Sequence, residues 1–175
     1  HYDRLKRHVG KSFIGFFSDE PRLANAASYD AVPGIYPMPL PWSDELAERL
    51  GSSPGLLLTH ICFNSDQPET TAQMRFRFMD AVSRLYSENF PQRLGAWCKE
   101  RKLLYIGHVV EDNGAHARLG YGTGHFFRSM KGQSFPGVDS VLGQHLPGFT
   151  SGKHDTPFGL HDSNFFHWEI GRAHV

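Results

Sequence analysis

The stretch SFIGFFSDEPRL, residues 12–23, joins an apolar run to two adjacent carboxylates and a proline. Ser12 to Ser18 predicts a strand buried on both faces, because strands covered on either side by helices read as continuous apolar runs. Asp19 and Glu20 end it at a turn before Pro21. A second run has the same form: Leu103 to Val110 (LLYIGHVV) predicts a buried strand, and Glu111 and Asp112 follow it. A third, Val138 to Leu142, predicts a strand that ends near Gln144 and His145.

The residues between these runs read as helices. Val32 to Trp42 is rich in Pro and Gly and predicts a loop. Ser43 then stands before DELAERL (44–50) with Gly51 behind it, an N-cap and a C-cap signal around a short helix. Leu56 to Phe63 is apolar and fits strand or helix. From Glu69, Phe78, Met79, Val82, Leu85 and Tyr86 recur at helical spacing, and Phe90, Leu94, Trp97 and Cys98 carry the stripe past Pro91. That pattern predicts one long helix or two in line, with a core-facing side. Phe126 to Met130 predicts a further short helix.

Strands alternating with helices, each strand closing on polar residues, predict an α/β fold. The expectation is a partial (β/α)8 TIM-type barrel of about three to four β/α units, whose active site lies at the C-terminal strand ends.

Composition narrows the chemistry. The chain has 175 residues, 39% of them hydrophobic, and Lys plus Arg equals Asp plus Glu at 18 each. That balance gives no broad basic surface for nucleic acid, and it suits a small polar or neutral substrate. No stretch approaches the roughly 18 apolar residues of a membrane span. Cys62 and Cys98 form no C-x-x-C pair and sit among apolar residues, so both read as buried free thiols. The chain opens on His1-Tyr2-Asp3 and reads as an internal piece of something longer. Its last seven residues, Glu169 to Val175, resemble translated sequencing-adapter DNA. The expected division is therefore a catalytic-domain fragment over 1–168 and a non-native tail over 169–175.

Several motifs compete for a function. GYGTG (120–124) lacks the spacing and the lysine of a phosphate-binding loop and reads better as a flexible lip near a site. Eleven histidines raise a metal-dependent hydrolase, which would need three of His108, Glu111, His116 and His125 around one point; no HExxH motif supports it. There is no G-x-S-x-G for serine chemistry. The carboxylates remain. If both strands are parallel in one sheet, Glu20 and Glu111 reach the same mouth, and two carboxylates across a cleft are what glycoside hydrolysis uses, one as acid and one as base or nucleophile.

The segments GFFSDEP (15–21) and RFRFMDAVSRLYSENFPQRLGAWCKERKLLYIGHVVEDNGAHARLGYGTGHFFRSMKGQSFPGVDSVLGQHLPG (75–148) resemble the barrel core of large bacterial glycoside hydrolases. These are the enzymes described as family 2-like or as α-L-rhamnosidases of the family 106 type. The resemblance spans roughly Tyr2 to Trp168, and GHVVED (107–112) and GVDSVL (137–142) make it more specific than DEP alone. It implies a catalytic barrel within a longer multidomain protein, periplasmic or secreted, that cuts glycosidic bonds of plant-type polysaccharides, best an α-L-rhamnoside. Carried over, Glu20 matches the general acid and Glu111 the residue that activates water with inversion. Asp19, His108, Asp112, Asn113, His116 and Gln144 would bind sugar hydroxyls. The resemblance also implies calcium in some relatives, with ligands unassigned here, and no organic cofactor. A retaining β-galactosidase-like glycosidase and a non-catalytic carbohydrate-binding relative are the alternatives.

Overall fold

A computed structural model describes residues 1–23, 40–51, 54–63, 66–109, 122–137, 139, 153–156 and 159–162. In chain order the elements are α1 (Tyr2–Leu5), a 3-10 turn (Lys6–His8), β1 (Gly15–Ser18), α2 (Asp44–Leu50), α3 (Pro54–Cys62), α4 (Pro68–Asn89), α5 (Pro91–Glu100), β2 (Leu104–Gly107), α6 (Phe126–Ser129), β3 (Phe135–Pro136), β4 (Lys153–Thr156) and β5 (Gly159–Asp162). β1, β2 and β3 form a parallel sheet in that order, and β4 pairs antiparallel with β5. Parallel neighbours require a crossover. The path from β1 to β2 runs through α2 to α5, and that from β2 to β3 through α6.

The helices α2, α4, α5 and α6 form where the sequence signals place them. Ser43 Oγ accepts the Leu46 amide at 3.1 Å, and Gly51 closes α2 at φ 58, a conformation that costs glycine little. The apolar run at 56–63, ambiguous in sequence, is helical through Cys62, in α3. Pro68 stands in the first turn of α4, and Pro91 starts α5 after a break at Phe90 (φ −124, ψ −80), so the long stripe is two helices in line. On α4, Phe78, Ala81, Val82 and Leu85 are buried at spacings of three and four, against Leu46 and Leu50 of α2 and Leu57 and Ile61 of α3. Each buried Leu, Ile, Val or Phe side chain among these stabilises the fold by about 1.5–3 kcal/mol.

A second core joins α5 to the sheet. Register pairs Phe16 with Tyr105. Both belong to a cluster with Cys98, Leu103, Leu94 and Trp97, and the Phe16 and Trp97 rings lie 5.9 Å apart. Cys98 is buried as expected, and burial pushes its thiol pKa up, whereas Cys62 is only partly buried; both are free.

Three strand expectations change. The first strand is Gly15–Ser18, not Ser12–Ser18, and it is not buried on both faces: Ile14 is 63% and Phe17 61% exposed. Among the described residues, helices pack on the Phe16 side. On the other side, register aligns Phe17, Ile106 and Phe135, and Phe135 is 64% exposed. The second strand stops at Gly107, with Val110 outside the described residues. The third strand is Phe135–Pro136, upstream of the Val138–Leu142 run, of which only Asp139 is described. Among the described residues no helix is long and apolar enough to cross a membrane.

Candidate functional site at the strand ends

β1 and β2 run side by side in the same direction, with Gly15 opposite Leu104 and Ser18 opposite Gly107, so their C-terminal ends are level. The ladder continues one step further, where the His108 amide donates to Ser18 O at 3.3 Å. Gly107 permits this approach, because a Cβ there would overlap the Ser18 carbonyl. One residue beyond each strand, His108 Nε2 lies 3.1 Å from Asp19 Oδ1. Two predicted site residues, 89 positions apart in sequence by subtraction of 19 from 108, thus meet at one sheet edge.

The His108 side chain is held on several sides. It is only 11% exposed, against 75% for Asp19. Its Nδ1 lies 3.3 Å from Val109 O, and its ring sits 5.7 Å from the Phe17 ring. Beneath it, Val109 is fully buried in a cluster with Phe126 and Met130, so α6 forms the floor under the strand end.

Glu20 is exposed, and its backbone has φ 44. A left-handed glutamate directly before proline is doubly unfavourable, since such positions cost on the order of 1–3 kcal/mol and proline restricts its predecessor. The following residue is tied down, as the Tyr86 hydroxyl donates to Pro21 O at 3.4 Å. Burial pushes the Tyr86 pKa well up, which keeps that hydroxyl a donor. Phe17 turns its ring towards His108 and is largely exposed, so it builds no enclosed apolar wall around Glu20.

A polar clamp fastens α6 to α4. Arg128 Nη1 donates to Asp80 Oδ1 at 2.6 Å and to Ser83 Oγ at 2.7 Å, while the Ser87 hydroxyl donates to Arg128 O at 2.6 Å. The Arg84 hydrogen bond, and then Arg128, hold the Asp80 carboxyl below the usual carboxylate range. His125 caps α6 by accepting the Arg128 amide; burial, and then the Arg128 charge, push its pKa down. Gly122 and Thr123, the described end of the glycine-rich stretch, are buried, and Thr123 is hydrogen-bonded to Ser129. That part is a packed turn and not a free lip.

Sequence reasoning did not single out Asp80, Ser83 and Arg128. The Asp80 and Arg84 pairing was available as an i,i+4 spacing. The Arg128 partner, 48 positions from Asp80, carries no local signal.

Glu111, Asp112, Asn113, His116 and Gln144 lie outside the described residues. Among the described residues no group of three metal-ligating side chains converges. A cleft of about 580 Å³ opens at the other end of β2, lined by Lys99, Lys102, Leu103, Leu104 and Ser134 among others. Ligands of parallel sheets bind beyond the carboxyl ends of the strands, so this cleft is not where the fold puts chemistry. No family model matches the chain, and comparison with curated proteins and with solved structures returns no match.

Proposed function

We propose that this chain carries the strand-end active site of a glycoside hydrolase. The observation that carries the reading is the level, parallel pairing of β1 and β2, which brings the acidic end of one strand to the histidine end of the other. Glu20 is the general acid that protonates the leaving oxygen. Glu111, three residues beyond His108 in the chain, is the base that activates water. Asp19, beside His108, binds sugar hydroxyls together with Asp112, Asn113, His116 and Gln144. The strained backbone at Glu20 supports a functional role, because non-glycine residues persist in such conformations mainly where side-chain aim matters.

The sheet supports a (β/α)8 barrel as the setting. Helices pack on one face, and the other presents Phe17 and Phe135, as an arc of barrel wall presents its inner side. The resemblance in GFFSDEP and GHVVED favours a terminal α-L-rhamnoside of a plant-type polysaccharide as substrate, inversion as the outcome, and a periplasmic or secreted setting; a calcium ion at the sugar belongs to the same reading. A screen of aryl-glycosides with the full-length protein, α-L-rhamnosides first, tests it. Hydrolysis that Glu111→Gln abolishes while sugar binding survives supports the reading; normal turnover in that variant contradicts it. Product anomer by NMR decides inversion, for which the two carboxyl groups should lie about 6.5–9.5 Å apart.

A further inference from the structure

The His108 ring has an acceptor at each nitrogen: Val109 O at 3.3 Å from Nδ1 and Asp19 Oδ1 at 3.1 Å from Nε2. Carbonyl and carboxylate oxygens both accept, so the Asp19 contact is a hydrogen bond donated from the ring at Nε2. The Phe17 ring and the buried Val109 keep the imidazole from turning, and the ladder bond from the His108 amide to Ser18 O fixes its backbone relative to Asp19. Asp19 itself is mostly exposed, and its grip on His108 is what orients an otherwise free carboxylate.

We propose that His108 is a positioning residue for Asp19, donating from Nε2 to Oδ1 and leaving Oδ2 to accept a hydrogen bond from a sugar hydroxyl at the strand ends. The hydroxyl rests on the glycoside-hydrolase reading; the coupling between the two side chains does not. No covalent bond changes in this role. The hydroxyl keeps its proton while donating to Oδ2, and the hydrogen bond strengthens as positive charge develops on the sugar ring. Partners that orient a reacting or binding group in this way are typically worth about 10–100-fold in activity.

The experiment has a binding-free arm and a kinetic arm. In the first, the imidazole nitrogens of His108 are observed by ¹⁵N NMR in the native chain and in Asp19→Asn at one pH. The contact predicts that Nε2 carries the ring proton in the native chain and that its resonance moves on substitution; an Nε2 without a proton, or one that does not move, overturns the proposal. Asp19 is exposed, so this variant leaves the fold intact. In the second arm, His108→Gln keeps a donor but loses the rigid ring that aims it. Its kcat should fall by about 10–100-fold with KM little changed, and an unchanged kcat overturns the positioning role. Absence of glycoside hydrolysis by the native protein defeats the hydrolase reading while the NMR result still stands, so the two failures are separable.

Discussion

At the scale of single residues, the strand-end site depends on atoms that are missing. Gly107 has no Cβ, and only that lets the Ser18 carbonyl come close enough to take the His108 amide. Gly107→Ala should therefore destabilise the chain by about 1–3 kcal/mol in denaturant unfolding, the usual cost of forcing atoms into a closed contact. It should also part Asp19 from His108, which the His108 ¹⁵N spectrum would report. The sequence marked Asp19, Glu20 and His108 through their place after apolar runs, and it favoured Glu20 over its neighbour. The contact across the sheet belongs to Asp19, and no rule of spacing could say so, because the register of two strands far apart in the chain is a tertiary fact.

At the scale of elements, local signals were legible where they are chemically self-contained. Ser43 and Gly51 bracket α2 as read, and Ser43→Ala should cost about 1 kcal/mol through the lost cap to the Leu46 amide. The α4 stripe was equally clear because its buried positions follow helical spacing. β3 was not, since a two-residue strand containing Pro136 and an exposed Phe135 has neither length nor alternation. The clamp that seats α6 was hidden for the same tertiary reason as the Asp19 contact. Asp80→Ala should destabilise by about 1.5–3 kcal/mol, as expected for losing hydrogen bonds to a charged group, and should expose Val109 by loosening α6.

The same clamp predicts a direction with pH. His125 has a folded pKa below the ordinary 6.5, so the unfolded chain binds more protons there as pH falls below that value. Its contribution is intact above about 6.5 and is lost as pH drops through the lowered folded value. Asp80, also depressed, keeps its contribution above 3.8 and loses it as pH falls further. Both act in one sense: unfolding midpoints should decline on acidification below pH 6.5, and His125→Gln should flatten the first part of that decline. A midpoint rising over that range would contradict the clamp.

At the scale of the whole molecule, helices among the described residues cover one face of the parallel sheet, and Phe17 and Phe135 on the other are exposed. Parallel strands are normally buried on both sides, and these two residues are the largest departures from that rule. Replacing both with Thr should leave the unfolding midpoint nearly unchanged, because exposed side chains contribute little packing. It should also reduce binding of a hydrophobic dye. A large drop in the midpoint would mean that the two rings are packed. The mixture of helices with parallel strands was legible from alternating apolar runs and helical stripes, but the exposure of Phe17 and Phe135 was not, since an apolar run looks the same whether its second face is filled or open.

The account's central claim is that the acidic end of β1 does acid chemistry on a glycosidic bond. It is tested most directly by the rate at which the full-length protein and its Glu20→Gln variant hydrolyse an aryl α-L-rhamnoside. The account predicts measurable turnover in the native protein and a fall of about 10²–10⁴-fold in the variant, the range for losing a general acid, with folding and sugar binding retained. Turnover in Glu20→Gln within a few-fold of native would contradict it.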